Sequence, residues 1–253
     1  MKTALSTIDV LGVPVVRASV AEGLAEIERL GREAAPALVT YVNAHSLNLA
    51  GRDAEYGRLL REKFLVFKDG VGVGIAARML GGRFPKNITF TDFSPLVLGL
   101  AAERKWRVFF LGCSSGVADA AALRLMDEIP GLDVVGTRDG FSAWESPAKA
   151  VAEIRAARAD MIVAAMGNPA QEKWLAEHLA ETGASIGLAV GGYLDFAAGH
   201  RTRASPWWQR LHIEWLHRLA HEPRRLWRRY VIGNPEFILR VALYRFRRGA
   251  VRG

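Results

Sequence analysis

Asp160-Met-Ile-Val-Ala-Ala-Met-Gly-Asn-Pro-Ala-Gln-Glu172 is the stretch on which the fold turns. Asp160–Ala165 is an almost unbroken apolar run, and a glycine-proline turn then hands the chain to a helical pattern starting at Gln171. A strand that is apolar at every position, rather than at every second one, is expected when helices cover both faces of a sheet. The same unit recurs. Runs at Ala37–Val42, Phe64–Phe67, Arg107–Leu111, Asp133–Val135 and Ser185–Val190 each end in a polar or glycine-rich turn. Helical stretches are predicted at Val20–Glu33, Ser46–Leu60, Val73–Leu80, Phe93–Glu103, Gly116–Ile129, Pro147–Arg158 and Gln171–Glu181. This alternation predicts an α/β fold around a parallel sheet, in which chemistry gathers at the carboxyl ends of the strands.

At 253 residues, half of them hydrophobic, the chain can bury one large core, or one core and a terminal appendage. Its single cysteine, Cys113, excludes an internal disulfide, fits a reducing cytoplasm and reads as a small apolar residue at a strand end. The N-terminal stretch is interrupted by Asp9 and Arg17, so no export signal is expected. No run approaches the roughly 18 apolar residues of a spanning helix. A membrane contact is therefore expected to be peripheral.

The charge is unevenly distributed. From Arg201 onward, thirteen arginines against three glutamates give +10, so residues 1–200 carry −2 of the whole-chain +8. Trp207, Trp208, Trp215, Trp227, Tyr230, Phe237, Tyr244 and Phe246 are interleaved with those arginines, a composition suited to anionic lipid or polyphosphate. A division follows into a body, 1–204, and a basic helical appendage, 205–253, broken by Pro223 and Pro235 and ending in an amphipathic helix over Phe237–Phe246. Apolar surface beneath such an appendage also offers a place for subunits to pair.

The candidate site residues sit in the strand-end turns. Gly112-Cys-Ser-Ser-Gly and Gly136-Thr-Arg-Asp-Gly are glycine turns that can bring backbone N–H groups to a phosphate, although glycine often serves turn geometry alone. In Gly167-Asn-Pro169-Ala-Gln171-Glu172, Glu172 complements a helix dipole, while Gln171 offers donor and acceptor to a base, ribose or sugar hydroxyl. Asp69 follows Phe64-Leu-Val-Phe-Lys, where a partly desolvated carboxylate can take a proton from a hydroxyl; capping the next helix is its commoner fate. Asp195, after Gly191-Gly192, is a second such carboxylate. Asn43 and His45 share another turn. No histidine, cysteine or Asp-x-Asp spacing fits a metal, so neither a metal nor another cofactor is expected. Arg218, Arg225 and Arg228 lie seven and three residues apart among apolar residues, fit to neutralise a departing diphosphate.

Asn43-Ala-His, Lys68-Asp-Gly-Val-Gly, Gly167-Asn-Pro-Ala-Gln-Glu-Lys-Trp, Gly191-Gly-Tyr-Leu-Asp-Phe-Ala-Ala-Gly and Glu214-Trp-Leu-His-Arg-Leu with Glu222-Pro-Arg-Arg-Leu resemble the WecG/TagA/CpsF glycosyltransferases, family 26, over residues 37–235. The resemblance implies a Rossmann-like body. It also implies an inverting, metal-independent enzyme that moves a sugar from a UDP-sugar to a saccharide on polyprenyl diphosphate, at the inner face of the cytoplasmic membrane. By the same resemblance Asp69 is the base, Arg218, Arg225 and Arg228 meet the diphosphate, and Gln171 is the glutamine of the Pro-x-Gln-Glu block. The chain departs from the N-acetylmannosaminyltransferase pattern. It has Tyr41-Val-Asn43 for Thr-x-Asn, and Asn87-Ile-Thr-Phe-Thr-Asp92 where those members carry an arginine ahead of Gly-x-Asp. Asn87 and Asp92 in this form resemble the branch that adds glucose in xanthan-type exopolysaccharide synthesis, so glucose is the expected sugar and N-acetylmannosamine the alternative. An arginine-rich nucleic-acid-binding protein is the rival class. The slightly acidic body argues against it, and no nucleic-acid partner is expected.

Overall fold

The computed structural model describes residues 3, 5–85, 89–201, 208 and 214–250; Glu214, His217, Arg218, His221, Arg225, Gly249 and Ala250 are described by backbone alone. Among the described residues eight strands form one sheet: β1 (Thr7–Val10), β2 (Val13–Val16), β3 (Ala37–Val42), β4 (Phe64–Lys68), β5 (Arg107–Gly112), β6 (Asp133–Arg138), β7 (Met161–Ala165) and β8 (Ile186–Ala189). Their order is β1-β2-β4-β3-β8-β7-β5-β6, parallel from β2 onward, with β1 antiparallel on the edge.

Residues along a strand alternate between two cores. Phe110 and Val163 enter one; Phe109, Leu111, Ile162 and Ala164 enter the other. The first core is closed by α1 (Val20–Gly31), α5 (Phe90–Glu103), α6 (Val117–Glu128) and α10 (Tyr193–Ala197). The second is closed by α2 (Ala44–Arg52), α3 (Ala54–Glu62), α4 (Gly70–Met79), α7 (Gly140–Glu145), α8 (Pro147–Ala156) and α9 (Ala170–Thr182), which bury Tyr56 and Trp174.

Three local expectations are corrected. The β1–β2 hairpin was not anticipated: its strands are four residues each, and they turn through Leu11 and Gly12, both at positive φ, as a tight two-residue hairpin requires. The single helix expected over Ser46–Leu60 is two, because Asp53 adopts an extended conformation and its carboxylate accepts the Tyr56 N–H at 3.0 Å, starting α3 afresh. Gly136 lies inside β6 rather than in a turn. A Cβ there would stand 2.6 Å from the Phe109 ring, so this glycine makes room for packing and not for phosphate.

The C-terminal region continues through α11 (Glu214–His221), α12 (Pro223–Trp227), a π-helical turn (Arg228–Ile232) and α13 (Gly233–Ala250). Pro235 does not break this run; it lies in the first turn of α13, where its missing N–H matters least. The apolar stripe expected over Phe237–Phe246 is real but divided. Phe237 and Val241 are buried in the second core, while Leu239, Leu243 and Phe246 stay exposed. Asn48 Nδ2 donates to the Gly233 carbonyl at 2.7 Å, Arg240 Nη1 donates to the Leu47 carbonyl and Asn48 Oδ1 at 2.9 Å each, and the Tyr244 hydroxyl donates to Asp9 at 2.9 Å. The proposed division at 204/205 falls outside the described residues.

Candidate active site

β3 and β4 end side by side, with Val42 paired to Lys68, so Asn43 and Asp69 leave the sheet together. Asn43 caps α2: its Oδ1 accepts the N–H groups of His45 and Ser46 at 3.1 Å each. That leaves its Nδ2 facing Asp69 Oδ2 at 3.5 Å. Asp69 occupies the corresponding place ahead of α4 but makes no cap; its Oδ1 instead accepts the Phe90 N–H at 3.0 Å, across the edge of the sheet. The carboxylate is thus turned away from its own helix and held from two other elements, with Oδ2 the less engaged oxygen. Asp92 is occupied locally, accepting the Thr89 hydroxyl at 2.6 Å at the start of α5, and Asn87 lies outside the described residues.

Tyr41 stacks on Phe90 with ring centroids 4.8 Å apart. Gly191, at φ +59, is required beside it, because a Cβ there would lie 2.0 Å from the Tyr41 hydroxyl oxygen. Around Gly192, Asp195 faces Arg201 at 3.5 Å, and Arg201 faces Glu222 of the C-terminal region at 3.9 Å. Gly112, at φ +135, is pressed against β7, with no space for a Cβ near the Ala165 carbonyl. Cys113 beyond it is half-buried; burial pushes its thiol up to about 12, with Asp195 adding to the effect.

The Gly167 turn has a different role from the one its sequence suggests. Pro169 follows a cis peptide bond from Asn168 and leads into α9, but Gln171 and Glu172 are wholly buried and do not open on a cleft. Gln171 Oε1 accepts the Gly191 N–H at 3.0 Å, and its Nε2 donates to Glu172 Oε1 at 3.0 Å. Glu172 Oε1 also accepts Thr40 Oγ1 at 2.8 Å and Asn168 Nδ2 at 2.6 Å, while Oε2 has no partner. Burial raises this carboxyl to about 7, against the lowering effect of its donors. Gln171 and Glu172 therefore tie β3 to the turns that follow β7 and β8.

Of the expected arginines, Arg228 is exposed, its guanidinium 5.4 Å from the ring of Trp227; the side chains of Arg218 and Arg225 lie outside the described residues. A candidate that the sequence reading did not single out is Arg229. Its Nε is buried without a hydrogen-bond partner. His45 feels it: burial first, then the cations Arg229 and Arg52, push the imidazole down to about 4, so His45 is neutral near pH 7. Among the described residues no three histidine, cysteine or acidic side chains gather as a metal site would need.

Residues 8–251 match the glycosyl transferase WecG/TagA/CpsF family. A relative from Bacillus subtilis (strain 168), named N-acetylglucosaminyldiphosphoundecaprenol N-acetyl-beta-D-mannosaminyltransferase, is 31% identical over 207 residues, covering 81% of this chain and 78% of its own. A protein of the same name from Bacillus spizizenii is 29% identical over 192 residues, covering 76% and 73%. The chain belongs to the WecG/TagA/CpsF family of glycosyltransferases.

Proposed function

We propose that the protein transfers a sugar from a UDP-sugar to a saccharide carried on polyprenyl diphosphate, by a single displacement with inversion. The observation that carries this reading is the posture of Asp69, held by Phe90 and Asn43 and free of its own helix. Asp69 Oδ2 takes the proton of an acceptor hydroxyl; the hydroxyl oxygen bonds to the anomeric carbon as the bond from that carbon to UDP breaks on the opposite face. Cations of the C-terminal region, Arg229 among them, stabilise the charge that develops on the leaving diphosphate. The exposed apolar and arginine-rich surface of α12 and α13 supports a peripheral position on an anionic membrane; no helix among the described residues is long and apolar enough to cross one.

The names of both relatives favour N-acetylmannosamine as the donor sugar and a diphosphate-linked N-acetylglucosamine as the acceptor. A second reading, an unacetylated hexose such as glucose, is supported by the Tyr41–Phe90 stack. These two aromatic residues stand where the N-acetylmannosamine pattern has threonine and glycine, and together they reduce the space available to an acetamido group. A panel of UDP-sugars, offered with a short polyprenyl-diphosphate saccharide and anionic vesicles and scored for UDP release, tests both. Absence of UDP release from every donor offered, together with salt-sensitive RNA binding, would overturn the assignment.

A further inference from the structure

At the outer corner of the carboxyl edge, Arg17, Arg78 and Arg83 line an open cavity of about 470 Å³ together with Gly81 and Gly82. Each arginine comes from a different element. Arg17 is the first residue after β2, its N–H held by the Ser6 carbonyl at 2.8 Å; Arg78 is in the last turn of α4; Arg83 follows a glycine turn in which Gly81 sits at φ +83. All three are exposed, and none has a carboxylate partner among the described residues. Three cations around one concavity repel one another until an anion joins them, and guanidinium groups pair with phosphate oxygens two at a time.

The corner is close to the reacting carboxylate. Val15 pairs with Val66, so Arg17 is level with Lys68, one residue short of Asp69 and one strand away, about 4.8 Å across the sheet. A separate small cavity is bordered by Val16, Phe67, Lys68, Phe84 and Phe90. Val16 and Phe84 are the chain neighbours of Arg17 and Arg83, and Phe90 supplies the N–H that holds Asp69.

Transfer from a nucleotide diphosphate to an acceptor that itself bears a diphosphate brings two polyanions into one site. In-line displacement places the acceptor saccharide and the leaving diphosphate on opposite faces of the anomeric carbon, so a cationic site apart from the one facing the leaving group suits the acceptor's diphosphate. Arg229 approaches from α2 and the C-terminal region; the Arg17 corner lies on the other side of Asp69, beyond β4. We propose that Arg17, Arg78 and Arg83 hold the diphosphate of the lipid-linked acceptor, presenting its saccharide hydroxyl to Asp69. This inference rests on the glycosyl-transfer reading above.

The test uses the full chain carrying Arg17→Ala with Arg83→Ala, and compares one saccharide on a short polyprenyl diphosphate with the same saccharide on an uncharged alkyl chain. The KM for the diphosphate acceptor is expected to rise about tenfold or more, as for loss of hydrogen bonds to a charged group, and the preference for it over the uncharged acceptor to collapse. UDP affinity, followed by calorimetry, is expected to stay within about twofold. An unchanged KM, or an equal loss for both acceptors, would overturn the proposal while leaving the transferase reading intact. So would weaker flotation with phosphatidylglycerol vesicles at an unchanged acceptor preference, which assigns the corner to lipid headgroups. No turnover by the unsubstituted protein with any donor would fell both readings together.

Discussion

Asn48 and Gly233 are joined by a 2.7 Å hydrogen bond that ties α2 to the first residue of α13. His45 lies one helical turn before Asn48, toward Asn43 and Asp69; Arg229 lies one turn before Gly233, inside the π-helical segment. The contact therefore sets Arg229, and not the exposed Arg228, beside the end of α2 that carries the candidate site. Arg229→Ala is expected to lower kcat/KM at least about tenfold, and Arg228→Ala by less. His45 supplies a second readout. Its depressed pKa means that stability falls as pH drops from about 6.5 toward about 4. Removing the Arg229 cation should move the imidazole resonance midpoint upward in an NMR titration. An unmoved midpoint, with Arg228→Ala the more damaging change, would refute this assignment.

Asp69→Asn keeps the size and can keep accepting the Phe90 N–H, while losing the base. Turnover is expected to drop about 100-fold or more, with donor affinity within a few-fold. Asn43→Ala, which removes only a 3.5 Å neighbour and a cap, should cost far less in rate and about 1 kcal/mol in stability. Steady-state kinetics with calorimetric UDP binding separates the two. Turnover of Asp69→Asn within a few-fold of the unsubstituted enzyme would remove the base assignment.

The parallel sheet was legible because strands such as Met161–Ala165 send apolar side chains into both cores, leaving no polar alternation. The turns after β3 and β4 were legible for the same reason: their polar residues stand out against apolar runs. The β1–β2 hairpin was not, since four-residue strands carrying Asp9 give too short a pattern. Gln171 and Glu172 misled because their enclosure depends on Thr40 and Gly191, residues distant in the chain. Arg229 was not singled out because a helix wheel groups Arg218, Arg225 and Arg228, whereas its nearness to His45 depends on the docking of the C-terminal region on α2, between residues distant in the chain.

Glu172 leads to a prediction about stability. Its carboxyl is raised to about 7 by complete burial, above the unfolded value near 4.5, so the folded state binds the proton more tightly. Stability should then fall as pH rises from about 4.5 to about 7, by up to about 3 kcal/mol. Glu172→Gln removes the titration and retains an oxygen for Thr40 and Asn168. Chemical denaturation at pH 5 and pH 8 is expected to show a smaller difference for this variant than for the unsubstituted protein; equal differences would place the ionisation elsewhere.

The exposed face of α13 decides whether the C-terminal region is a membrane surface. Leu239 is 61% exposed, Leu243 50% and Phe246 77%, next to Arg245, Arg247 and Arg248, whereas the docked face is held by Phe237 and Val241. Replacing Leu239, Leu243 and Phe246 by serine should spare the fold, because none of them supports the core. Each side chain buried in the interface is worth roughly 1.5–3 kcal/mol at full burial, so the triple change should weaken binding to phosphatidylglycerol vesicles at least about 100-fold. The residual binding should be strongly salt-sensitive, since it would rest on the arginines at about 1 kcal/mol each. Flotation across a salt series measures both effects. Undiminished binding by the triple variant would show that this face does not meet lipid, and that the peripheral position, if held, depends on charge alone.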